Sequence, residues 1–248
     1  MGKTSKRIQR VETDQGVVWK KYPEPPLEKT FFVLQAWIAK ITGAKILCVT
    51  KSKGGINALH DEADRLRLFY DKGIRVPRVI DQDDECISME DMGTALPIHL
   101  RSIPDDQKEG IRLVKLAAQG LADIHQKDLA HGRPHLRDIV WSKKDQAICF
   151  LDLEENVMDL MPLNKAQARD IWLFMGSTAR YLTNDIDILT SIYEIYRKDA
   201  PDNIEPVLLG LVKAIRPFGW FANTFPDSWL GSDIKNILAS QKALETYL

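Results

Sequence analysis

An acidic residue at the end of an apolar run is the first candidate for chemistry in this sequence. Asp152 directly follows the segment from Ile148 to Leu151, which has the character of a buried strand. An ionised carboxylate at the end of a buried strand is costly unless it is paired with a cation or bound to a metal. A functional and a structural role for Asp152 therefore both remain open at this point.

Other polar residues say little when each is taken alone. A strand lysine such as Lys20 and a helix glutamate such as Glu62 more often face solvent than act on a substrate. The sequence contains no nucleophile elbow, no HExxH metalloprotease motif and no Walker A pattern. Any chemistry must therefore come from residues that the fold brings together.

The first third of the chain has the patterns of a small sheet with helices. Residues 8–22 alternate around Gly16 and predict a β-hairpin, and residues 74–93 predict two short strands around an acidic turn. Residues 28–40 and 58–72 have helical patterns, and Gly73 is placed to end the second helix.

From about residue 93 the pattern becomes mainly helical. Residues 107–129 repeat apolar positions with a period of 3.6, and a hairpin is predicted from Ile139 to Trp141 and from Ile148 to Leu153. Residues 164–248 predict several helices, separated by Pro201, Pro206, Pro217 and Pro226. We expect an α+β protein in which a strand-rich first third precedes a helix-rich remainder, with the boundary near residues 91–97.

The charge balance and the cysteines limit the class of partner and the compartment. The 34 Lys and Arg residues balance 35 Asp and Glu residues, so the net charge is -1, and no nucleic-acid partner is expected. The chain of 248 residues has three widely spaced cysteines, which do not make a disulfide framework or a zinc motif. A reducing, cytoplasmic compartment is the natural expectation, and the N-terminal residues do not have the pattern of a secretory signal.

Residues 31–50 are long and apolar enough to need comparison with a membrane span. Lys40 and Lys45 lie inside them, and each central lysine costs roughly 2.5 to 3.5 kcal/mol on insertion, so we do not expect a span. We expect helix 28–40 to pack on the core. The alternative is a peripheral contact with the inner face of the membrane through its aromatic residues.

The order of several weak motifs resembles the protein-kinase-like superfamily. The chain is similar to its bacterial lipopolysaccharide-kinase branch, which includes Kdo kinase and its RIO and KEOPS-kinase relatives. The resemblance spans roughly residues 8–180. It is carried by VVWKKY at 17–22, ALHDEADRLRLFYDKGIRVPRVI at 58–80, ISMEDMG at 87–93, LADIHQKDLAHGRPHLRDIVW at 121–141, FLDLEE at 150–155 and ARDIWLF at 168–174.

The resemblance implies a two-lobed fold that binds ATP and Mg²⁺ between an antiparallel sheet lobe at 1–92 and a helical lobe at 93–248. By position, Lys20 would contact the α- and β-phosphates and pair with Glu62, and Lys21 is the alternative if the strand register shifts by one residue. Asp152, at the start of the Asp-Leu-Glu segment 152–154, would hold magnesium. The adenine would meet the backbone at the segment formed by Glu90, Asp91 and Met92. Asp170 would brace the catalytic loop at 131–138.

Departures from the family pattern in the catalytic loop and in the N-terminal hairpin affect the implied chemistry. Arg133 stands where the family has the Asp that serves as general base, and a guanidinium cannot accept a proton. Asp138 stands at the position of the family's metal-binding Asn and can still bind a metal. The N-terminal hairpin also lacks a glycine-rich loop, so we expect a weaker hold on the phosphates.

The resemblance implies an ATP- and Mg²⁺-dependent phosphotransferase that acts on a hydroxyl group of a cell-envelope saccharide or lipid-linked acceptor. Arg133 could stabilise charge on the γ-phosphate, while Asp138 or His135 orients the acceptor. One alternative is a nucleotide- or partner-binding pseudokinase without chemistry. Another is a nucleotidyl transferase on the same fold. The catalytic candidates are Lys20, Glu62, Arg133, Asp138 and Asp152.

Overall fold

The computed structural model describes residues 7–14, 16–23, 54–222 and 232–248, with side chains omitted at 218–222 and 232–234. Within these residues the chain is α+β, with antiparallel sheets and helices, as the sequence predicts. The predicted helix 28–40 and its membrane contact lie outside the described residues. Among the described residues, no helix is both long and apolar enough to cross a membrane.

The N-terminal sheet has four antiparallel strands. They are β1 (Ile8–Thr13), β2 (Gly16–Lys21), β3 (Val79–Gln82) and β4 (Ile87–Glu90), in the spatial order β1-β2-β4-β3. Gly16 has a φ of 119°, a conformation that suits glycine in the tight turn between β1 and β2. In the β2–β4 register, Lys20 lies opposite Ser88 and Lys21 lies opposite the buried Ile87.

Helix α1 (Gly55–Asp71) follows the first hairpin in the described part of the chain and packs near β3 and β4. The sequence predicts this helix, and the structure begins it three residues earlier. Its buried apolar residues repeat at helical spacing and include Leu66 and Phe69. The helix ends before Gly73, whose φ of 72° is the left-handed conformation usual after a helix.

A second sheet and six further helices form the rest of the described chain. The strands are β5 (Thr94–Ala95), β6 (Ile139–Ser142) and β7 (Ala147–Phe150). The helices are α2 (Leu96–Ser102), α3 (Gln107–Gln126), α4 (Leu163–Tyr181), α5 (Ile186–Asp199), α6 (Glu205–Ala222) and α7 (Ser232–Glu245). Two short 3-10 helices lie at Leu136–Asp138 and Val157–Asp159.

The prolines separate the C-terminal helices only in part. Pro201 lies between α5 and α6, and Pro206 lies in the first turn of α6, where its missing N–H is tolerated. The expectation that Pro217 ends a helix is wrong, because Pro217 lies inside α6.

The main hydrophobic core is one continuous cluster. It joins the apolar face of α1, through Leu66 and Phe69, to α3, β6 and β7, and to α4 and the later helices. Helix α3 contacts α5 extensively, and α7 packs on α4 and α5. Helix α1 is therefore packed against the residues that follow β4 as well as against its own sheet.

Candidate active site

Lys21 is the cation at the centre of the candidate site. Its side chain is almost fully buried, and its Nζ lies 2.7 Å from Glu62 Oε1, 2.9 Å from Asp152 Oδ1 and 2.8 Å from Glu154 Oε1. Burial raises the pKa of Glu62, and the charge of Lys21 opposes that change. A buried ammonium with three carboxylate neighbours is well paired, as a buried charge must be.

The predicted pairing of Lys20 with Glu62 is wrong by one residue. Successive side chains of a strand point to opposite faces, so only one of the two lysines can face α1. Lys21 faces Glu62, and the charge of Lys20 acts on Asp83, near the turn between β3 and β4. The register alternative that the sequence left open, Lys21, is the one that the structure brings to the site.

Asp152 lies between two cations, one on each carboxylate oxygen. Lys21 Nζ contacts Oδ1, and Arg133 Nη2 donates to Oδ2 at 2.8 Å. Burial acts to raise the pKa of Asp152, but Lys21 and Arg133 outweigh it and hold that pKa well below its usual range. Asp152 has a φ of 61°, so the chain turns sharply two residues after β7 and directs the carboxylate between the two cations.

Arg133 occupies the position at which the family resemblance places a general base. Besides Asp152, its guanidinium contacts Glu155, with 3.5 Å between Nη1 and Oε1. Burial opposes the charge, but Asp152 and Glu155 together raise the pKa of Arg133. Arg133 therefore stays protonated and acts here as an ion-pair partner of the proposed metal ligand.

A chain of alternating charges continues on both sides of these residues. Arg7 pairs with Glu154, beyond Lys21. On the other side, Arg169 Nη2 lies 3.0 Å from Glu155 Oε2, beyond Arg133. The chain of ion pairs thus runs from the start of the N-terminal sheet to helix α4.

The loop that carries Arg133 is held by charged side chains from α4. Asp170 Oδ2 accepts the N–H of His131 at 2.6 Å, and Asp170 Oδ1 accepts the N–H of Gly132 at 2.9 Å. Arg169 donates to the carbonyl of Gly132. Gly132 has a φ of 101°, and a Cβ there would lie 2.2 Å from the Glu155 carbonyl oxygen. These contacts agree with the bracing role expected of Asp170.

A cavity of about 510 Å³ opens beside Lys21 and Asp152. The residues on its wall come from β1, β2, β4 and α1, from the segment 93–98, and from residues 137–140 and 151–152 at β6 and after β7. The predicted adenine segment lies on its wall at Glu90, Asp91 and Met92. The indole N–H of Trp19 donates to Asp91 Oδ1 at 2.9 Å, which fixes this segment against β2. The cavity is of the size that small-molecule ligands occupy.

Asp138 also lies on the wall of this cavity, next to Arg137. Burial and the charge of Asp152 raise the pKa of Asp138 to about 6. The Leu151 N–H donates to the Asp138 carbonyl at 2.7 Å and joins the loop to the end of β7. The structure therefore brings together Glu62, Arg133, Asp138 and Asp152, with Lys21 in place of Lys20.

Glu154 lies in the Asp-Leu-Glu segment 152–154 that was predicted to bind metal, but no role of its own was predicted for it from the sequence. With Glu62 and Asp152 it forms a group in which one carboxylate oxygen from each residue lies within 4.8 Å of the others. Lys21 Nζ contacts all three residues, so these carboxylates are the ion-pair partners of the lysine in the structure. The sequence signal was the second carboxylate of the Asp152-Leu153-Glu154 segment, two residues after Asp152. Asp138 is not a member of this group.

Comparison with known proteins gives a limited similarity. The chain is 31% identical over 105 residues to a protein of Haemophilus influenzae described only as uncharacterized. The matched stretch covers 42% of this chain and 42% of that relative, so the similarity spans less than half of either. No model of a protein family matches the chain.

Proposed function

We propose that this chain is an ATP- and Mg²⁺-dependent phosphotransferase with a two-lobed, protein-kinase-like fold. The observation that carries the proposal is the buried Lys21, paired with Glu62 from α1 and with Asp152 after β7, at the edge of a ligand-sized cavity. A strand lysine paired with a helix glutamate and followed by a metal-binding Asp is the arrangement that kinases use to hold nucleotide phosphates.

The residues around the cavity suit the chemistry of a nucleotide. Met92 and Val140 offer apolar surface for a base, and the polypeptide between Glu90 and Met92 offers backbone groups for hydrogen bonds. Lys21 would contact the phosphates, and Asp152 and Asp138 would hold the Mg²⁺ that neutralises phosphate charge when it is bound. The size of the cavity supports the nucleotide part of the proposal, and carboxylate oxygens such as those of Asp152 and Asp138 are the ligands that Mg²⁺ prefers.

The transfer step needs a place for the acceptor's proton. The acceptor oxygen forms a bond to the γ-phosphorus as the bond to the leaving ADP breaks, and the hydroxyl proton must pass to a base or to solvent. Arg133 cannot take it. Asp138 lies on the cavity wall, and a carboxyl with a pKa of about 6 is mostly deprotonated at neutral pH. As an ionised carboxylate, Asp138 would hold the cation and orient the acceptor hydroxyl, whose proton would pass to solvent.

The family resemblance supports a cell-envelope saccharide or a lipid-linked hydroxyl as the acceptor. This part of the proposal rests on analogy of fold and motif, which is a weaker argument than site geometry. A cytoplasmic protein at the inner face of the membrane would meet such acceptors. Incubation with ATP and a core oligosaccharide, compared with incubation with a hydroxyl-bearing peptide, tests the acceptor class directly.

Calorimetry of ATP binding, with and without Mg²⁺, tests the proposed site. We expect the native chain to bind ATP more tightly with Mg²⁺, and Asp152→Asn to lose that dependence. Asp145→Asn is the matched control, because Asp145 is an exposed carboxylate that pairs with Arg75 outside the cavity. If the native chain shows no binding at millimolar ATP, the proposal is wrong. Detection of ADP supports phosphoryl transfer, and detection of pyrophosphate supports nucleotidyl transfer instead.

A second candidate function is nucleotide binding without transfer. The observation in its favour is the ion pair between Arg133 and Asp152, because a guanidinium on the carboxylate competes with a metal ion for the same oxygen. Arg133→Asp separates the two candidates. If Arg133→Asp turns over ATP faster than the native chain, the native protein has lost its general base. If the native chain turns over ATP and Arg133→Asp does not, Arg133 has a task in the transfer.

A further inference from the structure

Arg65 of helix α1 contacts three backbone carbonyls that belong to two different loops. Its Nη2 donates to the carbonyl of Ala130 at 3.0 Å and to that of His131 at 3.2 Å. Its Nη1 donates to the carbonyl of Leu153. The residue is 7% exposed, so these bonds are shielded from water. A hydrogen bond from a charged donor in such surroundings is stronger than one between neutral groups.

Arg65 and Glu62 are three residues apart and therefore lie on the same face of α1. Glu62 contacts Lys21, while Arg65 contacts the backbone before Arg133 and immediately after Asp152. One helix turn thus connects the lysine to both loops. Phe69 lies one helix turn after Arg65, and the centre of its aromatic ring is 5.7 Å from the guanidinium carbon.

Side chains bind both the backbone N–H groups and the backbone carbonyl groups of the loop at 130–132. Asp170 accepts its N–H groups at His131 and Gly132, and Arg65 donates to its carbonyls at Ala130 and His131. Buried backbone groups outside regular secondary structure need such partners. Removal of Arg65 would leave three carbonyls without these donors, in a place where water has little access.

We infer that Arg65 is a positioning residue that holds α1 against the loops at 130–133 and 152–154, so that Glu62 and Lys21 stay aligned with Asp152. Arg65 thereby fixes the position of Glu62 relative to Lys21. The consequence for ATP binding rests on the function proposed above. The structural part of the inference does not.

Amide hydrogen exchange in the absence of nucleotide tests the structural part. We expect Arg65→Met to raise the exchange rates of the His131 and Gly132 amides by about tenfold or more, with little change in α5. Arg67→Met is the matched control, because Arg67 is on the same helix, is exposed and pairs with Asp64 rather than with the loop at 130–133. Arg65→Lys keeps one charged donor and gives an intermediate rate, and it serves in place of Arg65→Met if that variant does not fold.

A double-mutant cycle with Glu62→Gln tests the consequence for the nucleotide. We expect Arg65→Met to weaken ATP binding about tenfold in the native background and much less in the Glu62→Gln background, because both changes act on Lys21. A general loss of stability would instead give additive effects.

Unchanged exchange at residues 131 and 132 would overturn the positioning role. Additive effects on ATP affinity would overturn the link to Lys21. If the native chain binds no ATP, the proposed function falls, and the exchange rates still decide the role of Arg65.

Discussion

The two adjacent lysines of β2 have different surroundings. Lys21 is buried among three carboxylates, and Lys20 lies on the opposite face of the strand. The difference arises from the strand period of two, which gives neighbouring residues opposite surroundings. Substitutions at these two positions are therefore a matched pair.

We expect Lys21→Met to abolish ATP binding and to lower the free energy of unfolding by about 3 to 5 kcal/mol, because it leaves buried carboxylates without their cation. Lys20→Met should preserve both properties. Calorimetry with ATP and urea denaturation of the two variants provide the measurement. Equal effects of the two substitutions would contradict the assignment of Lys21.

The pH dependence of stability should show opposing contributions from the loop. Burial lowers the pKa of His131 and of His135 to about 4, so the unfolded chain binds these protons first as the pH falls below about 6.5, and stability is lost toward pH 4. The pKa of Asp138 is raised to about 6, so the folded chain binds that proton first and stability is gained over the same range.

Asp138→Asn should therefore steepen the loss of stability between pH 6.5 and pH 4.5, by up to about 1.4 kcal/mol per pH unit. His135→Gln should make the loss shallower, because one of the two opposing histidine contributions is removed. Urea denaturation at a series of pH values, without metal or nucleotide, gives the comparison. Parallel curves for the native chain and both variants would show that these residues do not titrate as described.

At the scale of the elements, the spacing of apolar residues and turn residues predicted individual helices and hairpins. The apolar spacing of α1 and the turn at Gly16 located the helix and the first hairpin to within a few residues. The sequence also predicted that Glu62 and Asp152 belong to one site. It could not choose between Lys20 and Lys21, because a shift of one residue on a short strand exchanges the two faces.

Most contacts of the loop at 130–133 could not be predicted from the sequence. Asp170 was expected to brace this loop, but the parts of Arg65 and Arg169 depend on where two helices lie relative to it. Nothing in a helix pattern distinguishes a buried arginine that donates to carbonyls from an arginine that faces solvent. Only the packing of α1 and α4 decides that.

The close approach between Gly132 and Glu155 tests how rigidly this loop is placed. Gly132→Ala should lower the free energy of unfolding by about 2 to 4 kcal/mol, because the new Cβ would overlap the Glu155 carbonyl and the φ of 101° is strained for alanine. Gly210→Ala in α6 is the control, since its added Cβ meets no atom within 4 Å among the described residues outside the backbone of its own helix, and stability should rise by up to about 1 kcal/mol. Urea denaturation of both variants decides, and equal effects would contradict the crowding at Gly132.

At the scale of the molecule, the continuous core predicts that α1 and the C-terminal helices unfold together. Phe69 is fully buried in that core, and Phe69→Ala should lower the free energy of unfolding by about 3 to 5 kcal/mol in one cooperative transition. The neighbouring Leu68 is 42% exposed, and Leu68→Ala should change stability by less than about 0.5 kcal/mol. Separate transitions in tryptophan fluorescence and far-ultraviolet circular dichroism would contradict a shared core.

The contact between Trp19 and Asp91 has a practical consequence for the study of this protein. The indole lines the cavity and donates to a carboxylate on the segment assigned to the adenine. Its emission wavelength depends on the polarity around the ring, so a ligand that displaces water from the cavity should shift it to the blue. We therefore expect the fluorescence of Trp19 to report a ligand in the cavity, and Trp19→Phe identifies its signal among those of the six tryptophans.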